Sequence, residues 1–337
     1  MRLFSNSFLK KFDKNGMLLS AEKFPEQVKE ALEIVEKINF SFECVEHVIV
    51  AGMGGSAISG EILSHFSKLP FIVVRDYFLP SFANEKTLFI AISYSGNTAE
   101  TLSCYKEAKK RKCKILSISS GGKLGKERNC ILIPSGMQPR VAIAYLLFPL
   151  AVILERNDII EEQNYDEVVE TVIKLRERLC SSKNDGNIAK HIAYEIEGYP
   201  LIYGYGIGAS IAKRWRQQLN ENAKMPAFNF ALPECNHNEI EAWEGGVNNF
   251  TCIFLRGIEN DDIKKRFDFM KKIYGEKVKV IEAYAEGRSH FAKAISLLYL
   301  GDFVSIYKAI LNKVNPTPVG LIMKLKEELS QHSRSSS

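Results

Sequence analysis

Two stretches of this chain repeat the same strand-and-turn: Val48-Ile49-Val50-Ala51-Gly52-Met53-Gly54-Gly55 and Leu201-Ile202-Tyr203-Gly204-Tyr205-Gly206-Ile207-Gly208. Each runs from apolar residues into spaced glycines, the pattern of a β-strand that ends in a tight turn and opens a helix. One such unit begins a parallel α/β layer, and two copies imply two similar α/β domains in tandem. The chain must therefore fold as a duplication, and whatever differs between its halves points to function.

The remaining periodicity fills in that plan. In the first half, short apolar runs predict strands at 47–51, 71–75, 88–92, 114–117 and 131–133. Helices are expected at 57–67, 98–111 and 140–154. A linking helix over 158–178 carries Val168, Val169, Val172, Ile173 and Leu175 on one face, and 181–186 is its turn-like end. In the second half, 251–255 answers 88–92, 278–282 answers 114–117, and a long helix over 289–314 answers the closing helix. The expected domains are 1–155 and 156–337, each a parallel sheet flanked by helices, with a polar, disordered tail from Ser330.

Composition excludes several classes. Of 337 residues, 46% are hydrophobic and 25% charged, as in globular proteins, and the net charge of +5 is spread without a basic stripe for nucleic acid. Seven scattered cysteines without a C-x-x-C pair argue for a reducing compartment, hence the cytoplasm. The N-terminus lacks a secretory signal. The longest apolar run, 141–154, is broken by Pro149 and falls short of the ~20 residues of a membrane span.

The first glycine loop, Gly52 to Ala57, formally fits a dinucleotide fingerprint, with Asp76 as a possible ribose-binding acid. Ser93-Tyr94-Ser95-Gly96-Asn97-Thr98 changes that balance, because its three hydroxyls can fold around one tetrahedral dianion at a helix N-terminus. A phosphate monoester gains from that second loop and a dinucleotide does not. The candidate phosphate ligands are Gly54, Gly55, Ser56, Ser93, Ser95 and Thr98. Arg256-Gly257-Ile258-Glu259-Asn260, the counterpart in the second half, lacks the hydroxyl cluster.

Gly54-Gly55-Ser56 with Ser93-x-Ser95-Gly96-x-Thr98 resembles the phosphosugar pocket of sugar isomerase (SIS) domains. From about Lys37 to Leu329 the layout resembles the bifunctional phosphoglucose/phosphomannose isomerases of the phosphoglucose isomerase superfamily. The resemblance implies an aldose–ketose isomerase that interconverts glucose 6-phosphate and mannose 6-phosphate with fructose 6-phosphate through an enediol, without metal or redox cofactor. In Leu219-Asn220-Glu221-Asn222-Ala223-Lys224-Met225-Pro226 it gives Glu221 the proton transfer. In Pro233-Glu234-Cys235-Asn236-His237-Asn238-Glu239 it gives His237 ring opening, reached across a homodimer interface. Arg140 is matched to the arginine that stabilises the enediolate, and Thr317 to the position where conventional phosphoglucose isomerases carry glutamine. Lys324 is matched to the lysine that assists His237, with Lys326 left open by periodicity.

Other readings are weaker. His237 with Glu234, Cys235, Glu239 and Glu241 suggests a metal cluster, but lacks H-E-x-x-H and a second histidine. Cys235 as a nucleophile has no covalent step to serve. A non-catalytic SIS sensor predicts a helix-turn-helix domain, for which the stretch before Lys37 is too short, and leaves Glu221, His237 and Arg140 without a task. Glucosamine-6-phosphate synthases pair SIS domains with an amidotransferase opened by a cysteine nucleophile, and Met1-Arg2 begins no such domain. An NAD-dependent dehydrogenase is the weakest alternative.

Overall fold

The computed structural model describes residues 4–180, 182 and 185–335. Three helices open the chain: α1 (Asn6–Phe12), α2 (Met17–Glu22) and α3 (Phe24–Glu36). The first α/β unit then runs β1 (His47–Ala51), α4 (Gly54–Ser64), β2 (Phe71–Val74), β3 (Thr87–Ile92), α5 (Ala99–Lys110), β4 (Lys114–Ser119), β5 (Cys130–Leu132) and α6 (Ile143–Arg156). After α7 (Tyr165–Leu179) and α8 (Ile188–Glu195), the second unit runs β6 (Tyr199–Tyr205), α9 (Ile207–Ala223), β7 (Phe228–Leu232), β8 (Phe250–Arg256), α10 (Asp261–Gly275), β9 (Lys279–Tyr284) and α11 (His290–Leu311). A final helix, α12 (Gly320–Ser335), follows.

The duplication is real and the topologies correspond. The first sheet has the order β2-β1-β3-β4-β5 and the second β7-β6-β8-β9, with every pairing parallel. All six residues of β3 are buried, as expected of a central strand covered by helices on both faces. The glycine-loop helices α4 and α9 pack on each other, where His65 Nε2 meets Ser210 Oγ at 3.0 Å.

One apolar core runs through both halves and is built largely from α6 and α11. Phe4 packs edge-on to Tyr307 and Phe24 stacks on Tyr299; α1 and α2 cover α11, and α3 packs mainly on α6. Among the described residues, α11 is the one helix long and apolar enough to cross a membrane, yet 89% of its most apolar window is buried inside the protein.

Several expectations need correction. Arg140 does not open the closing helix: it sits in a separate 3-10 turn, Pro139–Val141, ahead of α6. The linking helix starts at Tyr165, where Asn164 accepts from the Glu167 amide as N-cap, and Ile160 upstream bridges to Ser67. Of the turn expected at its end, Ser181, Lys183 and Asn184 lie outside the described residues. The tail is not disordered from Ser330, because α12 continues to Ser335; Ser336 and Ser337 lie outside the description.

Candidate active site

β1 and β3 are neighbours, and the strand order reverses between them. In open α/β sheets the crevice beyond such a switch point receives the ligand. The glycine loop that leaves β1 places Gly54, at φ +51°, at the head of α4, with Ser56 in the first turn. The Ser56 amide donates back to the Met53 carbonyl at 3.0 Å, and the first amides of such a helix N-terminus are suited to an anion. The loop that leaves β3 brings Ser93 and Thr98 together, their hydroxyls 2.8 Å apart, while Ser95 is exposed and its Oγ accepts from the Asn97 amide. Asp76, the possible ribose-binding acid, instead accepts from the next amide, that of Tyr77.

This second loop is clamped from behind. The amides of Ser120 and Lys123 donate to the carbonyls of Tyr94 and Gly96 at 2.9 and 3.1 Å. Gly96 has φ +67°, and a Cβ there would lie 1.8 Å from the Gly121 carbonyl, so no other residue permits this approach. The Tyr94 hydroxyl accepts from the Met137 amide at 2.9 Å, which couples the loop to the segment that carries Arg140.

Arg140 is 3% exposed. Its Nε donates to Asn222 Oδ1 at 2.7 Å, and its Nη2 donates to the carbonyls of Pro316 and Thr317 at 2.6 and 2.8 Å. Its Nη1 edge faces Glu221 Oε2 at 3.6 Å. Burial pulls the guanidinium down from its usual value, and Glu221 acts against that. Glu221 lies in the last turn of α9, so the second domain delivers a half-exposed carboxylate to an arginine of the first. Lys224, at the C-cap, donates to the carbonyls of Glu221 and Pro318 and so fastens α9 to the Asn315–Pro318 turn. Its ammonium is pulled down by burial and then by Arg140, against Glu221.

The equivalent crevice of the second sheet is occupied by the chain itself. Glu259 Oε2 accepts from the amides of Gly257 and Ile258 at 2.5 and 2.9 Å, and its Oε1 pairs with Arg256 Nε at 2.7 Å. Burial raises the Glu259 carboxyl, but these donors outweigh it and hold the group below its usual range.

Comparison with known proteins finds a family match in each half of the chain. Residues 41–153 match the SIS domain family, and residues 185–329 match the family described as the bacterial phospho-glucose isomerase C-terminal SIS domain. The bifunctional phosphoglucose/phosphomannose isomerase of Caldicellulosiruptor bescii is 40% identical over 338 residues, which span 94% of this chain and 99% of the relative. The chain belongs to the bifunctional phosphoglucose/phosphomannose isomerase family. The Thermoplasma volcanium member is 38% identical over 312 residues, covering 90% of this chain and 99% of its own. A solved glucose-6-phosphate isomerase like protein from Thermus thermophilus shares the fold at 17% identity, with a TM-score of 0.65 over 96% of this chain and 98% of that one.

The other residues matched to this family are only partly brought together. Thr317 reaches the site: its carbonyl receives Arg140, and its Oγ1 is buried without a hydrogen-bond partner. It does not cap α12, which starts three residues later. His237 lies in a 3-10 turn, Glu234–His237, beyond the edge strand β7, exposed and with no hydrogen bond to Glu221, Arg140 or Lys324. Lys324 and Lys326 are both exposed on α12. Burial pushes the Cys235 thiol up to about 12, which keeps it protonated at neutral pH.

Glu239 is the residue that the sequence hid. Grouped by composition with metal ligands, it instead accepts from Tyr203 Oη and Trp243 Nε1, each at 2.7 Å, and from Tyr274 Oη at 3.0 Å. It thereby anchors the His237 turn to the core of the second domain. The signal available was Trp243 four residues on, at helical spacing.

Proposed function

We propose that this chain is an aldose–ketose isomerase that interconverts glucose 6-phosphate and mannose 6-phosphate with fructose 6-phosphate through an enediol. The observation that carries this reading is the contact of Glu221 with the Nη1 edge of Arg140, beside the two loops at the switch point. Gly54, Gly55, Ser56, Ser93, Ser95 and Thr98 bind the phosphate, which fixes the open-chain sugar with C1 and C2 near Glu221. The Glu221 carboxylate takes the proton from C2 of the aldose and returns it to C1, giving the ketose. Arg140 stabilises the charge that develops on the enediolate oxygens. In balance, the carbon-bound proton passes from C2 to C1 through Glu221 while the hydroxyl proton passes from O2 to O1, and the scheme draws on neither metal nor redox cofactor.

His237 and Lys324 open the ring, and both act in a homodimer. The exposed His237 and the uncovered face of α12 support this assignment. Leu321, Leu325 and Leu329 are 86%, 59% and 56% exposed, a contiguous apolar stripe that a second copy of the chain would bury. The first domain ends near residue 155, and the second takes in α7 through α12. The seven free thiols fit a cytoplasmic enzyme.

Glucose 6-phosphate incubated in D2O with chelator and without NAD should yield fructose 6-phosphate that carries deuterium at C1. Glu221→Gln should bind inorganic phosphate normally and lose about 10²–10⁴ in turnover. Failure to convert any hexose 6-phosphate would refute the assignment, and near-normal turnover in the variant would remove Glu221 from the chemistry.

A further inference from the structure

We propose that Asn222 is a positioning residue whose neutrality keeps the charge of Arg140 available to the reacting sugar; this rests on the isomerase reading above. The domain junction holds two buried arginines that are treated differently. Arg214, 1% exposed, points its Nη2 at both carboxylate oxygens of Asp302, at 3.1 and 3.0 Å, and at the Arg140 carbonyl at 2.7 Å. Its charge is met inside the protein. Every acceptor within 3.0 Å of Arg140 is neutral: one side-chain amide and two peptide carbonyls. Among the described residues only the Nη1 edge approaches a carboxylate, Glu221 at 3.6 Å, beside a long contact of 3.5 Å to the neutral Gln138 Oε1.

The orientation of the Asn222 amide follows from a chain of donors. Ser305 Oγ donates to the Asp302 carbonyl at 2.7 Å, so its lone pairs face Asn222 Nδ2 at 2.9 Å. The amide therefore turns Oδ1 to Arg140. Arg214, Gln218 and Asn222 recur every four residues and form one stripe on α9, facing Asp302 and Ser305 on α11. An aspartate at 222 has the same shape and would still accept from Nε, but it would close an ion pair with Arg140 in a fully buried place. The guanidinium would then be partly neutralised before a substrate arrives. A carboxylate would also face the Ser305 oxygen with no hydrogen to spare.

The test compares Asn222→Asp with Asn222→Ala in the full-length protein. If Asn222 serves only as an acceptor that holds Arg140, the aspartate variant should be the more active. If neutrality matters, Asn222→Asp should lose about 10-fold or more in kcat, part of the loss seen when a transition-state donor is removed. It should also fall below Asn222→Ala. KM and inhibition by inorganic phosphate should stay near wild type in both, since the phosphate loops are untouched. Asn222→Asp with wild-type kcat, or with higher kcat than Asn222→Ala, would overturn the proposal. Should the aspartate chain not fold, Ser305→Ala frees the amide to turn over; kcat should fall at constant KM, and unchanged kcat would count against the proposal equally. An inactive wild-type chain would instead sink the isomerase assignment.

Discussion

Glu239→Ala tests whether the His237 turn is held in place by its anchor. The Glu239 carboxylate receives three donors: Tyr203 Oη, Trp243 Nε1 and Tyr274 Oη. Trp243 stacks on Tyr274 with ring centroids 3.9 Å apart, so these donors cannot swing to water without breaking an aromatic pair. An orphaned buried donor costs about 1–3 kcal/mol, which puts a ceiling of roughly 3–9 kcal/mol on the loss. Glu239 is only half-buried, and the vacated space can take a water that satisfies some donors, so about 3–4 kcal/mol is expected. Glu239→Gln keeps one acceptor oxygen, and a tyrosine hydroxyl can rotate to accept from its amide; only the charge assistance goes, about 1–2 kcal/mol. Urea denaturation followed by fluorescence suits the measurement, because Trp243 is one of two tryptophans. Glu239→Ala should also lower kcat by loosening His237, whereas Glu239→Gln should not. An alanine variant within 1 kcal/mol of wild type, about the size of a single ordinary hydrogen bond, would refute the anchoring argument.

Three further outcomes follow from the site. Ser95→Ala and Thr98→Ala should each raise KM and weaken phosphate inhibition by the equivalent of about 1.5–3 kcal/mol, the worth of a donor to a charged group; normal substrate binding in both would move the phosphate site elsewhere. Inactive His237→Ala and Glu221→Gln chains should recover activity when mixed and re-associated, since each mixed dimer regains one complete site. An active monomer, or verified heterodimers without recovery, would end the shared-site reading. Thr317→Gln should depress mannose 6-phosphate turnover far more than glucose 6-phosphate turnover, because the longer side chain would crowd the rotation about C2–C3; an equal loss on both substrates would remove Thr317 from specificity.

The duplicated glycine loops were legible because they are local. Spaced glycines after an apolar run encode strand, turn and helix within eight residues, and both sheets appear where the repeat puts them. β7 was missed, since the edge strand Phe228–Leu232 is short and mostly half-exposed. The opening helices escape for another reason: their apolar faces make sense only against α6 and α11, more than 300 positions away for Phe4 and Tyr307. At the site, hydroxyls and carboxylates with a chemical task could be named in advance. Asn222, Arg214 and Asp302 could not, because a neutral amide or a buried ion pair acquires its role from partners more than 80 positions distant.

The seated carboxylate of Glu259 bears on stoichiometry. A duplicated scaffold ordinarily offers two equivalent cradles, and a phosphosugar would then divide between them. Here the second cradle carries its anion covalently, at an effective concentration no free metabolite matches. Calorimetric titration should therefore reach saturation at one hexose phosphate per chain. The phosphate therefore has one cradle to occupy, and protection by ligand should be greatest at the loops that follow β1 and β3 and at the end of α9 that carries Glu221.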